Sequence, residues 1–241
     1  KLFFRNLIYK ITARHRRGFG IHYEIVYKII RAIYENRNSS HPGINRILQW
    51  RKELSRDEQL INSGHFGAGS VYSQNERRSI SSIVKHSSIS HKFGKVLFTL
   101  SNYYKPRTII ELGTGLGIST AYLAMGNPDA SVITVEGSNE KSEFAKRKLA
   151  DLQIENVTFL IDDFDKFVDS YSVLSHPLMV FFDGNHTFSS TLNYFKKMHK
   201  VANSDSIFIF DDIQWSSEMR KAWREIVKSE KTIISIDLFF L

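Results

Sequence analysis

The sequence predicts an α/β protein. Its core is a doubly wound, mostly parallel sheet of seven strands, the last truncated where the sequence stops, and an N-terminal helical cap precedes it. Three observations carry this. From Thr108 onward, short apolar runs alternate with segments of helical periodicity, as in β-α-β units with buried parallel strands. The first run, Thr108-Ile-Ile-Glu111-Leu, leads into Gly113-Thr114-Gly115-Leu-Gly117-Ile-Ser119-Thr120, which reads as a strand end, a tight turn and a helix start. Each of the first five predicted strands of that sheet also ends in an acid.

Two regions follow from this, a helical cap or docking region over residues 1–85 and a ligand-binding sheet domain over 86–241. Residues 1–20 mix apolar and basic side chains with no acid, which suits a docking arm or a membrane surface. Ile21, Ile25, Val26, Ile29, Ile30 and Ile33 give residues 21–36 a helical period. His41-Pro42-Gly43 breaks the chain, and a second helix is expected over 44–54. The stretch 64–70, with three glycines and His65, is either a lid over a site or an ordinary connector. Residues 75–104 read as helix with a break near 87–90, ended by Pro106.

Strands are then expected at 108–112, 131–135, 157–161, 178–182 and 206–210, with helices at 118–125, 139–151, after 164, at 188–202 and at 216–229. Residues 232–236 read as a further strand.

The composition narrows the function. With 42% hydrophobic residues the chain can bury a sizeable core. No apolar run approaches the ~20 residues of a membrane span, and a cytoplasmic location is expected. The sequence has no Cys, which excludes disulfides, thiolate nucleophiles and Cys-bound zinc. The net charge of +8 is unevenly spread. Residues 1–107 carry 20 Lys and Arg against 6 Asp and Glu, whereas residues 108–241 carry 13 against 19. The basic half could attract nucleic acid, an anionic substrate or a membrane, or it could pack on the acidic half or on a partner.

The glycine loop departs from the dinucleotide-binding pattern G-x-G-x-x-G, since Ile118 stands where its last glycine belongs. Glu111 would repel a pyrophosphate and suits a ligand with a cationic end. On this acid and loop, the sequence resembles the class I, Rossmann-like, S-adenosyl-L-methionine-dependent methyltransferases, over about residues 86–241. The resemblance implies a transferase that binds S-adenosylmethionine through Glu111, Gly113, Thr114, Gly115, Gly117, Ser119 and Asp183. Glu136 lies 19 residues after Gly117 and, with Gly137, matches the position of the ribose-binding acid. Asp163 and Phe164 match the adenine position, although Phe164 reads equally well as core.

Asp183 and the Asp211-Asp212 pair resemble the catechol O-methyltransferase-like small-molecule O-methyltransferases. There, such acids bind a divalent cation (Mg, Mn or Ca) that orients the acceptor and lowers the pKa of its hydroxyl. Those enzymes carry a lysine base three residues after the first acid, where this chain has His186. His186 could be the catalytic base beside Asp183, a metal ligand or a helix-start residue.

The function expected is methyl transfer to a hydroxyl of a small molecule, a sugar or a secondary metabolite, with a homodimer formed through the N-terminal helices. The rivals are an RNA-modifying methyltransferase that uses the basic half and a methyltransferase-like module that binds without turnover.

Overall fold

The computed structural model describes residues 23–36, 41–62, 77–172 and 175–238. The arm at 1–20 and the glycine stretch 64–70 with His65 lie outside these.

Helix α1 (Glu24–Asn36) buries Ile29 and Ile33. Helix α2 (Pro42–Leu54) buries Ile44, Ile47, Trp50 and Leu54 at helical spacing. The break expected at 41–43 is in fact the start of this helix. His41 Nδ1 accepts the Gly43 N–H at 3.1 Å, and Pro42 occupies the first turn, where its missing N–H costs nothing. Strands β1 (Leu60–Asn62) and β2 (Arg77–Ser79) form an antiparallel ribbon that the sequence did not predict.

The break expected near 87–90 divides α3 (Ile80–His86) from α4 (His91–Tyr104). Ser79 caps α3, and Ser90 caps α4 by accepting the Phe93 N–H.

The main sheet contains β3 (Thr108–Leu112), β4 (Ser131–Glu136), β5 (Val157–Ile161), β6 (Leu178–Phe182) and β7 (Ile207–Phe210). All pair in parallel, in the order β5-β4-β3-β6-β7. Seven strands are thus described, five in this sheet and two in the ribbon.

Between the strands run α5 (Ile118–Gly126), α6 (Asn139–Asp151), α7 (Phe164–Ser170) and α8 (Phe188–Lys200), and α9 (Ser217–Lys228) follows β7. Ser138, Asp163, Thr187 and Ser216 cap α6 to α9 with their side-chain oxygens.

Successive strand residues face opposite layers. Ile109, Val132, Met179 and Phe181 join an apolar cluster that continues through α1 to α6, so the helical cap and the sheet share one core. Ile110, Leu112, Val135, Val180 and Phe182 pack with α7 and α8 on the other face.

The strand expected at 232–236 is not formed. Thr232 Oγ1 donates to the Ile226 carbonyl at 2.6 Å and Thr232 N–H to the Ser229 carbonyl at 2.9 Å, so the chain turns back on the end of α9. Ile233 and Ile234 are exposed, while Ile236 and Leu238 pack against the core.

Candidate active site

Because the five strands are parallel and in register, their carboxyl ends form one rim. It carries Glu111, Glu136, Asp162, Asp163, Asp183, Asp211 and Asp212. The chain runs outward from β3 to β5 and returns to β6 beside β3, so the topological switch falls between Leu112 and Phe182, where open α/β sheets bind ligands.

The glycine loop lies on this switch. Gly113 adopts φ +113°, and a Cβ there would stand 2.3 Å from the Asp183 carbonyl oxygen. Only glycine tolerates both the backbone angle and the approach. Gly115 also has positive φ, at +53°, but the space beyond it is open to 4 Å. A ligand can therefore lie directly against its backbone. Gly117 precedes α5 and supplies no side-chain cap, which leaves the helix start to whatever the loop holds.

Glu111 is fully buried. Its Oε2 accepts from Thr120 Oγ1 at 2.5 Å and Thr134 Oγ1 at 2.7 Å. Thr114 Oγ1 lies 2.6 Å from Thr134 Oγ1, which spends its hydrogen on Glu111, so Thr114 is the donor in that pair. Oε1 is buried with no hydrogen-bond partner. Burial pushes the Glu111 carboxyl up to about 7, against the hydroxyl donors that pull it down, and the charge of Glu136 adds to the rise. An unpartnered buried carboxylate oxygen is costly. A cationic group beside it would remove the cost, so this site fits a ligand with an aminium or sulfonium centre.

Glu136 is also buried but well supplied. Gly115 N–H donates to Oε2 at 2.9 Å, Ser138 N–H donates to Oε1 at 3.0 Å, and Lys141 Nζ stands 3.8 Å from Oε1. Gly137 connects Glu136 to Ser138, whose hydroxyl donates to the Asn62 carbonyl at 3.2 Å. The β1–β2 ribbon is thereby tied to the end of β4.

Asp163 caps α7 by accepting the Asp165 N–H at 2.8 Å. Phe164 is buried in the second core, edge-on to Tyr194, and a Cβ on Gly184 would meet its ring at 2.5 Å.

His186 stands between two acids. Its Nε2 is 3.9 Å from Asp183 Oδ1 and 3.9 Å from Asp212 Oδ2. Burial holds the Asp183 carboxyl well above its ordinary range, and repulsion from Asp211, Glu111, Asp212 and Glu136 adds to it. Asp211 is raised by burial and by Asp212, while the Asp212 N–H and His186 partly offset this.

Among the described residues, no group of three or more His, Asp or Glu side chains is gathered closely enough to hold a metal ion. Of the three acids that the sequence suggested as cation ligands, Asp183 and Asp212 stand on either side of the His186 imidazole.

Sequence reasoning missed the support beneath His186. Asn185 has φ +51°, and its Nδ2 donates to Ser190 Oγ at 3.0 Å and to Tyr194 Oη at 2.9 Å. Tyr194 Oη in turn donates to Asp165 Oδ2 at 3.1 Å. Asn following Gly in a strand-to-helix turn was the available signal, since Asn tolerates the left-handed region.

Residues 110–213 match a family model described as a methyltransferase domain. That match covers the loop, the buried acid and the rim around it, and supports an S-adenosylmethionine-dependent methyltransferase of the class I, Rossmann-like fold.

In fold it resembles the Podospora anserina methyltransferase PaMTH1, solved with S-adenosylhomocysteine (12% identity, 88% of this chain and 90% of that one, TM-score 0.59). It also resembles a Bacillus cereus O-methyltransferase in complex with S-adenosylhomocysteine (16%, 82% and 84%, 0.55). A third is the O-methyltransferase TomG of Streptomyces achromogenes, involved in tomaymycin synthesis and solved with S-adenosylmethionine (22%, 58% and 70%, 0.51).

A curated relative is the ribosomal RNA small subunit methyltransferase G of Psychrobacter sp. (strain PRwf-1), 27% identical over 73 residues, or 27% of this chain. The chain spans about a third of that relative, 32% of its length.

Proposed function

We propose that this rim methylates a hydroxyl group of a small molecule, with His186 as the base. The observation that carries the reading is His186 Nε2, placed between Asp183 and Asp212 beside the glycine loop. Bound S-adenosylmethionine supplies an activated methyl group that leaves a neutral thioether behind. The chain must orient the acceptor and take its proton.

In this reading Glu111 faces the cationic end of the cofactor, and Gly113, Thr114, Gly115, Gly117 and Ser119 shape the loop against it. Glu136, next to Gly137, accepts the ribose hydroxyls, and Asp163 with Phe164 borders the adenine. His186 Nε2 would take the proton of the acceptor hydroxyl, with the Asp183 and Asp212 side chains on either side to hold the imidazole in place. The adjacent Trp215, 76% exposed and held by its N–H to the Asp212 carbonyl, offers an acceptor a flat apolar face.

Calorimetric titration with S-adenosylhomocysteine tests the cofactor half, and absence of binding would sink it. His186→Ala tests the other half. We expect kcat to fall roughly 100-fold or more with cofactor affinity kept, the usual scale for loss of a general base. Unchanged turnover would remove His186 from the reaction.

A divalent cation at Asp183, Asp211 and Asp212 is a second reading, supported by the mutual repulsion that raises Asp183 and Asp211. With His186 as base no step needs the ion, so turnover should survive EDTA. Loss of activity, restored by Mg²⁺, would favour the cation.

An RNA acceptor is a further reading, supported by the basic first half and the partial likeness to the ribosomal RNA enzyme. An RNA affinity that falls steeply between low and moderate salt would favour it.

A further inference from the structure

Lys141 lies in the first turn of α6 and is 5% exposed, although α6 also carries Lys146 and Arg147 on its solvent side. Burying an ammonium is costly unless an opposite charge offsets it. Glu136 is the carboxylate within ion-pair distance of Lys141 Nζ, at 3.8 Å, and the two side chains are 6% and 8% exposed. That separation exceeds a hydrogen bond, so Lys141 acts on Glu136 through its charge.

The charge has a purpose at this place. Glu136 shares the rim with Glu111 and Asp183, and its charge weighs on both. Backbone N–H groups of Gly115 and Ser138 fix one oxygen each. They set the direction of the carboxylate but bring no full positive charge. The nearby Arg77 is directed to Glu140, at 3.5 Å.

We propose that Lys141 is a positioning residue for cofactor binding: its buried ammonium anchors the Glu136 carboxylate among the other rim acids, in the place from which it accepts the ribose hydroxyls. The inference rests on the ribose reading of Glu136 given above.

The test is calorimetric titration of S-adenosylhomocysteine, and of its 2′,3′-dideoxy analogue, into the full chain and four variants. These are Lys141→Met, Lys141→Arg, Glu136→Gln and the Glu136→Gln/Lys141→Met double variant. Loss of a charge-assisted anchor should weaken S-adenosylhomocysteine roughly tenfold in Lys141→Met. Lys141→Arg should keep most of the affinity. In the Glu136→Gln background, Lys141→Met should add nothing further, the signature of two residues acting as one. The dideoxy analogue should bind the parent and Lys141→Met alike.

A merely structural lysine would weaken both ligands equally, or add its effect to that of Glu136→Gln, and either result overturns the inference. So does parental affinity in Lys141→Met. If Lys141→Met does not fold by its thermal melt, Lys141→Gln takes its place, with the same criteria. Should Glu136→Gln leave S-adenosylhomocysteine binding unchanged, the ribose reading itself fails. Should Glu136→Gln weaken binding while Lys141→Met does not, only the role of Lys141 fails.

Discussion

Glu111 joins a folding cost to a binding opportunity. Its carboxyl is raised to about 7 from an ordinary 4.5, so the proton is held more tightly in the folded chain than in the unfolded one. Stability from this group is fully present below about pH 4.5 and is lost as the pH climbs through about 7. Full ionisation costs roughly 3 kcal/mol. Glu111→Gln should therefore raise the melting temperature of the ligand-free protein more at pH 8 than at pH 5. A cationic ligand reverses the account, because it favours the carboxylate. Affinity for S-adenosylhomocysteine should rise from pH 5.5 to 7.5, with proton release visible as a dependence of the binding heat on the buffer. A pH-independent affinity would separate Glu111 from the cationic end of the ligand.

The place of individual residues on the rim was legible when their chemistry and position coincided. Glu111, Glu136, Asp183 and Asp211 stood out because each closes an apolar run. Lys141 did not, since α6 carries several lysines and spacing alone does not say which one turns inward. Asp163 appeared as a ligand contact, yet the structure also gives its side chain the capping of α7, a duty that Asp performs at any helix start.

Among the elements, the strand-loop-helix unit gives a separable pair of predictions. Gly113→Ala places a methyl group on the Asp183 carbonyl at a backbone angle that L-residues avoid, and should cost about 3 kcal/mol or more. Gly115→Ala enters open space and should cost about 1 kcal/mol of stability, the ordinary left-handed penalty, while it obstructs the cofactor. Thermal melts and ligand titrations on the two variants read these costs apart. Equal effects on both readouts would place the cofactor elsewhere.

The five sheet strands were readable because each is an apolar run bounded by turn residues. The β1–β2 ribbon was not, because three-residue strands such as Leu60-Ile-Asn and Arg77-Arg-Ser carry no alternation to detect. The opposite error arose at 232–236, where apolar content suggested a strand but hydrogen bonds back to the end of α9 leave no ladder.

At the scale of the whole molecule, the unequal charge of the two halves was visible in the sequence, but their shared core was not. The apolar residues of α1 to α4 continue into the layer formed by α5, α6 and one face of the sheet. A change such as Ile47→Ala in α2, where the side chain is wholly buried, should therefore lower the melting temperature of the entire protein, with the cost of ~2–5 kcal/mol usual for such a deletion. A separate early transition for the cap would contradict a common core.

The crowding of Gly113 against the Asp183 carbonyl gears the two sides of the cleft to each other. The segment proposed to grip the methyl donor and the segment that leads to His186 meet backbone to backbone, without a deformable side chain as a cushion. On the proposed roles, donor and base sit on either side of this one tight backbone joint, and arrival of the first ligand can trim the seat of the second without any hinge.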